Sequence, residues 1–575
     1  MKKTLSYLKS YKKECILAPL FKLLEACFEL FVPLVIADII DIGISGGNKG
    51  YVWGRVGILA LLAVCGLAFA ITAQYFAAKA AVGFASKLRH ALFTRIQSLS
   101  YADTDKLGTS TLITRMTADV DQVQQGVNMV LRLLLRSPFV VFGAAIMAFT
   151  VDAKSAVTFA VTIPVMSAAV MAIMLITIPL YKKVQSKLDS LLGITRENLS
   201  GVRVIRAFRK ENAEYERFVS TNGDLTRSQK FVGRISALMN PLTYVLINCG
   251  VIALIWVGAL RVNSGTISQG QVVALYNYMS QILVELVKLA MLIITLTRAV
   301  ACAKRVDGVL TTENSMTENG DKEQKHTVIG GDVEFDGVEL TYPEAGAPSL
   351  SGVNFYAPSG STVGIIGGTG SGKTSLVNLI PRFYDVTKGC VKVGGTDVQK
   401  LDAKTLRKNI GIVPQRAALF KGTIRSNLLW GKEDATDEEL WEALKTAQAE
   451  NVAFDKGGLD AEVEQEGRNF SGGQRQRLTV ARALVRKPKI LILDDSASAL
   501  DLKTDAALRE AISKLDYKPT VFIVSQRAAA VMNAQLIVVL DEGAVVGMGT
   551  HDELMKTCPA YEEIYSSQFK KEADR

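Results

Sequence analysis

The chain has 575 residues, which is too many for one hydrophobic core, so at least two domains are expected. Hydrophobic residues make up 49% of the sequence, the mean hydropathy is +0.22 and the formal net charge is +10. Lys and Arg cluster beside apolar runs, which favours a lipid bilayer over nucleic acid as the partner. The seven cysteines show no CxxC spacing, so neither a disulfide framework nor a zinc site is indicated.

Six apolar stretches in the first half of the chain predict six transmembrane helices. The first, at about residues 15–40, is interrupted by Lys22, Glu25 and Glu29. The others contain no Asp, Glu, Lys or Arg and cover residues 56–78, 137–151, 155–181, 235–260 and 262–284. All of these five except 137–151 are long enough by themselves to cross the hydrocarbon core of a bilayer. The helix that contains 137–151 must therefore extend into the flanking residues to cross the membrane.

The distribution of basic residues predicts how these spans are oriented. The two long loops, 79–136 and 182–234, together hold 20 Lys or Arg, whereas the three short loops hold 4. By the positive-inside rule, the long loops and the N-terminus lie in the cytoplasm. The expected location is the cytoplasmic membrane, as a multi-pass protein.

The composition changes after about residue 303. The stretch TTENSMTENGDKEQKH (311–326) is polar and lacks apolar periodicity, which is typical of a linker. From residue 331 to 575, β-branched runs alternate with helical segments, as in an α/β domain. The predicted domains are therefore a membrane domain (1–302), a linker (303–330) and an α/β domain (331–575).

The sequence GGTGSGKT matches the phosphate-binding loop G-x-x-x-x-G-K-[ST], and it lies between an apolar strand and a helix as that loop requires. Lys373 is expected to reach the β and γ phosphates of a nucleotide, and Thr374 to hold Mg²⁺. Asp494 ends the apolar strand ILIL and is expected to hold the same ion from the other side. The expected nucleotide contacts are Gly367, Gly368, Thr369, Gly370, Ser371, Gly372, Lys373 and Thr374.

The stretch NFSGGQRQRL, which lies between these two motifs, resembles the signature of ATP-binding cassette (ABC) proteins. The six spans resemble those of a bacterial ABC exporter half-transporter, and the segments 101–123 and 197–218 within the long loops resemble its two coupling loops. This resemblance implies ATP and Mg²⁺ as cofactors and a fold of six transmembrane helices followed by an α/β P-loop domain. It also implies that Ser471, Gly472, Gly473 and Gln474 contact ATP bound to a second subunit.

Three further residues occupy positions with a role in the family. Tyr342 resembles the aromatic residue that stacks on adenine, and Gln415 resembles the glutamine that senses Mg²⁺. Asp501 resembles the acidic residue that crosses the dimer interface. Without the resemblance, Tyr342 would be interpreted as a core tyrosine and Gln415 as an ordinary loop residue.

Two residues depart from the family pattern. The family has Glu after the Mg²⁺-binding Asp, where this chain has Asp495, and His after the next strand, where it has Gln526. None of the three histidines (His90, His326 and His551) occupies that position. Aspartate is one methylene shorter, and glutamine cannot carry a proton as imidazole can. Together the two changes predict a site that binds ATP but hydrolyses it poorly.

A poorly hydrolysing site implies a catalytically competent partner half-transporter, and so a heterodimer that exports amphipathic drugs, lipids or peptide-like compounds. The alternatives are a homodimeric lipid flippase or peptide exporter with slow ATP hydrolysis, and an ATP-gated channel or regulatory subunit. The charged residues within the spans leave two interpretations open. Glu25, Glu29, Glu285 and Lys288 either form local ion pairs or line a cavity that meets substrate.

Overall fold

The computed structural model describes residues 2–316, 330–343, 345–496 and 498–573. Packing divides the chain into an N-terminal unit, residues 1–97 and 110–312, and a C-terminal unit, residues 98–109 and 313–575. The predicted linker begins later than residue 303, because the last N-terminal helix continues to Thr311 with Val306, Val309 and Leu310 buried. Residues 317–329 of that linker, including His326, lie outside the described residues.

The N-terminal unit is built of helices. Their bounds are α1 Lys2–Ser6, α2 Lys12–Asp38, α3 Lys49–Ser98, α5 Thr109–Thr114, α6 Val120–Leu133, α7 Arg136–Val151, α8 Ala153–Ser200, α9 Val202–Ala207, α10 Glu211–Ala237, α11 Met239–Asn263 and α12 Gln269–Thr311; α4, Tyr101–Leu107, belongs to the C-terminal unit. At a rise of about 1.5 Å per residue, α3 and α8 are each roughly 70–75 Å long. Both are longer than the thickness of a bilayer.

Five helical segments of the described chain are long and apolar enough to cross a membrane: Lys49–Ser98, Thr109–Val151, Ala153–Ser200, Glu211–Asn263 and Gln269–Thr311. They contain four of the five charge-free runs and most of the fifth, 262–284, and the short run 137–151 gains length from the helical segments before it. The expected first span is α2. Its apolar stretch is interrupted by the charged residues Lys22, Glu25 and Glu29.

The last helix starts later than the charge-free run 262–284 suggests. The turn after α11 contains Gly265, at φ +71°, and α12 begins at Gln269. Asp41, from the end of the first span, accepts hydrogen bonds from the Gly270 N–H (2.8 Å) and from the Ser268 hydroxyl. A Cβ on Gly270 would lie 2.4 Å from the Ala37 carbonyl oxygen. Glycine therefore lets the start of α12 pack directly against the end of α2.

The C-terminal unit combines sheets and helices. Its strands are β1 Val333–Leu340, β2 Leu350–Ala357, β3 Thr362–Gly367, β4 Lys388–Val393, β5 Thr396–Asp397, β6 Ile410–Val413, β7 Gly422–Thr423, β8 Glu462–Val463, β9 Ile490–Asp494, β10 Thr520–Ser525, β11 Leu536–Asp541 and β12 Ala544–Gly549. Its helices after α4 are α13 Lys373–Leu379, α14 Ala403–Lys408, α15 Ile424–Leu428, α16 Asp437–Thr446, α17 Glu450–Lys456, α18 Gly472–Val485, α19 Leu502–Ser513, α20 Ala528–Val531, α21 His551–Thr557 and α22 Pro559–Ala573.

The main sheet has six strands in the order β12-β11-β3-β10-β9-β6, and all neighbouring pairs except β12–β11 are parallel. A second sheet, β2-β1-β4-β5, is antiparallel. In an open parallel sheet, ligands bind beyond the carboxyl ends of the strands. The phosphate-binding loop begins at the end of β3, and Asp494 ends β9. Gln526 follows β10, and Gln415 follows β6. These four strands are adjacent in the sheet. The topology therefore brings these residues to one edge.

Residues 98–109 pack with the C-terminal unit. Helix α4 starts after Ser100, whose hydroxyl accepts a hydrogen bond from the Asp103 N–H at 3.0 Å. The ring of Tyr101 lies 4.4 Å from that of Phe383, and the Tyr384 hydroxyl donates to the Asp105 carboxylate at 2.6 Å. The first predicted coupling loop, 101–123, is therefore divided between the two units.

Candidate functional site

The phosphate-binding loop runs from the end of β3 to the start of α13. Its last glycine, Gly372, has φ +92°, a left-handed conformation that side chains disfavour. A Cβ at this position would lie 2.8 Å from the Leu350 side chain and 2.9 Å from the Ser349 carbonyl oxygen. Glycine is thus required here both by the backbone turn and by the close packing.

Lys373 supplies a half-buried positive charge to this loop. Its ammonium donates hydrogen bonds to the Gly367 carbonyl oxygen at 2.9 Å and to the Ser371 hydroxyl at 3.3 Å. Burial lowers the pKa of Lys373, although Asp495 and Asp494 act in the opposite direction. A partly desolvated cation bonded mainly to neutral oxygens is well suited to bind an anion such as phosphate.

Thr374 and Asp494 form a pair of oxygen ligands beside Lys373. The Thr374 hydroxyl donates to the Asp494 carboxylate at 3.0 Å. Burial raises the pKa of Asp494, which a bound cation would lower again. No group of three or more His, Cys, Asp or Glu that could hold a metal occurs among the described residues. The pair fits Mg²⁺, which takes one or two protein oxygens and completes its shell with phosphate and water.

Asp495 lies in an unusual backbone conformation directly after the strand. Its φ is +43°, and its N–H donates to the Val524 carbonyl oxygen at 3.0 Å. The Gln415 amide donates to its carboxylate at 3.3 Å. Strained backbone is concentrated at functional sites, and aspartate tolerates this conformation better than most residues. Gln415 is in the site, with Asp495 as its hydrogen-bond partner.

Gln526 follows the end of β10 and is exposed. Its side-chain oxygen accepts from the Thr369 hydroxyl at 3.5 Å, and its main-chain oxygen accepts from the Gln568 amide at 2.8 Å. The side chain therefore lies against the phosphate-binding loop. At this position the family has a histidine, whose imidazole can carry a proton. The amide of Gln526 cannot.

These residues share one cavity of about 260 Å³. The predicted residues that line it are Thr369, Gly370, Gly372, Lys373, Thr374, Gln415, Asp494, Asp495 and Gln526. Ser349, Ser375 and Val524 also line it and were not predicted. Ser375 directly follows the motif and could have been inferred from its position, whereas nothing in the sequence distinguishes Ser349 or Val524.

Other predicted residues do not line this cavity. Ser471 begins α18, where its hydroxyl accepts from the Gln474 N–H at 3.3 Å, and Gly472 and Gly473 form the first turn of that helix. Asp501 begins α19 by accepting from the Thr504 N–H at 2.9 Å. Ser471 and Asp501 thus act as helix N-caps within the chain, and the predicted contacts of these residues across a dimer stay predictions.

Tyr342 lies close to the phosphate-binding loop without lining the cavity. Its hydroxyl donates to the Ser375 hydroxyl at 2.9 Å, and its ring packs edge-on against Tyr384 at 5.0 Å. The side chain is half-buried. Its predicted stacking on adenine stays a prediction.

The charged residues in the spans form a network within the N-terminal unit. Arg136, at the start of α7, contacts Glu29 of α2 at 2.5 Å and also Glu285 of α12. Glu285 also accepts from the Ser137 hydroxyl at 2.7 Å and from Lys288 at 2.8 Å. Lys288 and Glu285 thus form the predicted local pair, but Arg136 connects that pair to two further helices.

In the sequence, Arg136 is the last residue of the basic loop 79–136. In the structure its side chain is 6% exposed and that of Glu285 is 3% exposed, whereas that of Glu29 is 41% exposed. Lys22 and Glu25, which are three residues apart on α2, form a local ion pair at 2.5 Å. Three carboxylates in apolar helices need nearby cations, and this charge balance could have identified Arg136.

Comparisons with known proteins agree with this architecture. Residues 15–286 match the family model described as the ABC transporter transmembrane region, and residues 350–498 match the ABC transporter model. YfiB of Bacillus subtilis, an ABC transporter ATP-binding protein, is 37% identical over 100% of this chain and 99% of its own length. An ABC transporter ATP-binding protein of Mycobacterium tuberculosis is 37% identical over 98% of this chain and 97% of its own length.

Two further matches concern export. YgaD of Bacillus subtilis, whose name includes "multidrug export", is 30% identical over 99% of both chains. The solved structure of a bacterial Atm1-family ABC exporter with ATP bound matches the fold with a TM-score of 0.81 at 22% identity, over 97% of this chain and 98% of that one. Because these relatives cover nearly the whole chain, and because the chain has both a helical membrane domain and a P-loop domain, it belongs to the ABC transporter family.

Proposed function

We propose that this chain is the poorly hydrolysing subunit of a heterodimeric exporter that moves amphipathic compounds out across the cytoplasmic membrane. Its own site, formed by the phosphate-binding loop and Asp494, binds ATP with Mg²⁺, and a partner half-transporter performs most of the hydrolysis. The apolar spans and the similarity to YgaD, with "multidrug export" in its name, support an amphipathic substrate.

The observation that carries the proposal is the contrast between two parts of one cavity. The groups suited to binding phosphate and Mg²⁺ are complete, since Lys373, Thr374 and Asp494 lie together. The groups expected to position the attacking water are altered, since Asp495 is a short carboxylate held by Gln415, and Gln526 replaces an imidazole. Phosphoryl transfer depends mainly on positioning and electrostatics, so this contrast favours binding over hydrolysis.

The signature run supports an unequal pair. Ser471, Gly472, Gly473 and Gln474 are unchanged from the family pattern, and Ser471 and Gln474 form a capping box at the start of α18. When two half-transporters combine, this run would complete the partner's ATP site. A homodimer would contain two altered sites, whereas a partner with Glu and His would contribute one efficient site.

The test compares the chain alone with the chain co-expressed with a half-transporter that has Glu and His at these positions. We expect the complex to hydrolyse ATP much faster than the chain alone. Replacing the partner's Glu with Gln should remove most of this activity, whereas Asp495→Asn in this chain should leave most of it. Rapid hydrolysis by the chain alone, abolished by Asp495→Asn, would instead support the homodimeric flippase or peptide exporter.

We expect Asp494→Asn to weaken Mg²⁺-dependent ATP binding by at least about 10-fold, a loss typical even of residues that only orient a metal ligand. The amide retains the shape of Asp494 but removes the charge beside Thr374. ATP binding should be measured directly, with Mg²⁺ and with EDTA, because hydrolysis is slow. Asp541→Asn is the matched control, since Asp541 ends β11 in the same sheet and does not line the cavity. Equal Mg²⁺ dependence in both variants would contradict the assignment.

A further inference from the structure

The charged network of the N-terminal unit ends in two exposed groups of opposite sign. Glu29 contacts Arg136 at 2.5 Å, Arg136 contacts Glu285, and Glu285 accepts a hydrogen bond from Lys288 at 2.8 Å. The two inner side chains, of Arg136 and Glu285, are 6% and 3% exposed, whereas those of Glu29 and Lys288 are each 41% exposed. The network is therefore a series of alternating charges with a buried centre, one open carboxylate and one open ammonium.

This series runs from within the apolar spans toward their cytoplasmic side. The contact of Asp41 with the Gly270 N–H places the end of the first span level with the start of α12. At about 1.5 Å per residue, Glu29 lies roughly 18 Å along its helix from Asp41, and Glu285 lies roughly 22 Å along α12 from Gly270. The hydrocarbon core is about 30 Å thick, and a carboxylate at the depth of Glu29 is too costly to face lipid tails. We therefore expect Glu29 to face a cavity, with Lys288 one turn beyond Glu285 at its cytoplasmic end.

Both open groups have hydrogen-bonding capacity left. In the described part of the chain, Lys288 uses one of its three N–H donors, on Glu285, and Glu29 contacts Arg136 through one carboxylate oxygen. One helical turn before Glu285, the side-chain oxygen of Gln281 is buried without a hydrogen-bond partner among the described residues. A buried acceptor of this kind is costly unless a donor reaches it. A ligand with both donors and acceptors would satisfy these groups.

The network carries no net charge. Its described members are three cations and three carboxylates: Lys22, Arg136, Lys288, Glu25, Glu29 and Glu285. A ligand with a single charge would leave that charge unbalanced in a region of low dielectric constant. A zwitterion would place one charge at each open end of the network and keep the balance.

We propose that Glu29 and Lys288 bind the head of an amphipathic zwitterion, with its ammonium on Glu29 and its oxyanion on Lys288. Hydrogen bonds between charged groups are the strong ones, and the buried pair of Arg136 with Glu285 fixes the two open groups relative to each other. The apolar surface of the spans holds the tail. The proposal names the substrate class of the exporter, so it rests on the proposed function. A phospholipid with an ethanolamine head and an acylated amino acid share this chemistry.

Binding of three amphiphiles with the same tail length tests the inference. The full chain is purified in dodecylmaltoside, an uncharged detergent, and saturable binding of radiolabelled probes is measured without ATP against protein-free micelles. The probes are lysine acylated on its side-chain nitrogen with a dodecanoyl group, which has a zwitterionic head, the cation dodecylamine and the anion dodecanoate. We expect the zwitterion to bind at least about 10-fold more tightly than the other two. If either singly charged probe binds as tightly, the inference is wrong.

Two variants should change this preference in opposite directions. Glu29→Gln leaves the network with one excess positive charge, so the zwitterion should bind about 10-fold more weakly and dodecanoate should become the tightest probe. Lys288→Met leaves one excess negative charge, so dodecylamine should become the tightest. Both variants keep the buried ion pair at the centre of the network and are therefore expected to fold. Glu216→Gln and Lys183→Met, at exposed positions of the loop 182–234, are the matched controls and should leave the preference unchanged.

Competition and transport assays complete the test. Competition with the acylated lysine by lysophosphatidylethanolamine, but not by lysophosphatidylglycerol, would identify a phospholipid head as a ligand, whereas no competition by either would restrict the site to a carboxylate head. Binding without ATP-driven transport by the complex would contradict the proposed function and leave the binding site in place. If no probe binds saturably, or if both variants weaken all three probes equally, Glu29 and Lys288 serve packing or contact with a partner subunit, and the inference is wrong.

Discussion

Replacing Asp495 with Glu and Gln526 with His should raise the ATPase rate of the chain alone by on the order of 100-fold. Glutamate extends the carboxylate by one methylene, beyond the position where Gln415 holds Asp495 at 3.3 Å. Histidine beside Thr369 would restore a group able to carry a proton. Steady-state phosphate release at saturating ATP and Mg²⁺ measures the change, and ATP affinity should be nearly unaffected because Lys373, Thr374 and Asp494 are retained.

Two controls make this result specific. Adding Lys373→Ala to the double variant should abolish the gained activity, which shows that the gain arises in this cavity. The single changes should give smaller increases, since two groups position one water. If the double variant is no faster than the parent while it still binds ATP, the altered residues do not limit hydrolysis, and the proposed division of labour loses its basis.

Replacing Arg136 with Met should lower the free energy of unfolding by about 3–5 kcal/mol, the loss typical when one partner of a buried ion pair is removed. Glu285, almost wholly buried, would lose its main cation, and Glu29 would lose its contact at 2.5 Å. Three helices, α2, α7 and α12, would no longer be joined by this network. Thermal or denaturant unfolding of the purified chain in nanodiscs measures the effect.

Neutralising the acids tests the cause of that loss. The triple variant Arg136→Met, Glu29→Gln, Glu285→Gln should recover most of the lost stability, because no buried charge is then left without a partner. Arg227→Met is the control for a lost surface arginine, since Arg227 is 86% exposed and pairs only with Asp224 at 3.8 Å in the described structure. If Arg136→Met is as stable as Arg227→Met, the network contributes nothing to stability.

The cavity that contains Lys373, Thr374 and Asp494 was largely predictable because its residues follow the carboxyl ends of adjacent strands. GGTGSGKT and the acid after ILIL are local patterns, and the parallel topology brings them together. Asp495 and Gln526 were noticed as departures from a family pattern. Their contacts with Gln415 and Thr369 depend on side-chain rotamers, which no local pattern encodes.

Long-range charge pairing was harder to predict. The local pairs Lys22–Glu25 and Glu285–Lys288 follow from spacing along one helix. Arg136 contacts Glu285 across 149 residues of sequence, so only the packing of α7 against α12 reveals it. Similarly, helix α12 continues to Thr311 because Val306 and Val309 are buried. The polar composition of this part of the sequence did not indicate that burial.

The place of α4 has a consequence for the timing of synthesis. The Asp105 carboxylate and the Tyr384 hydroxyl that donates to it are 279 residues apart. At about 5–20 residues per second, a ribosome needs roughly 15–55 s to make that interval. During this time, residues 98–109 have already been synthesised, but the surface on which they pack has not. The first loop thus reaches its native contacts only after several apolar spans have been synthesised, which couples late folding of the C-terminal unit to a segment made early.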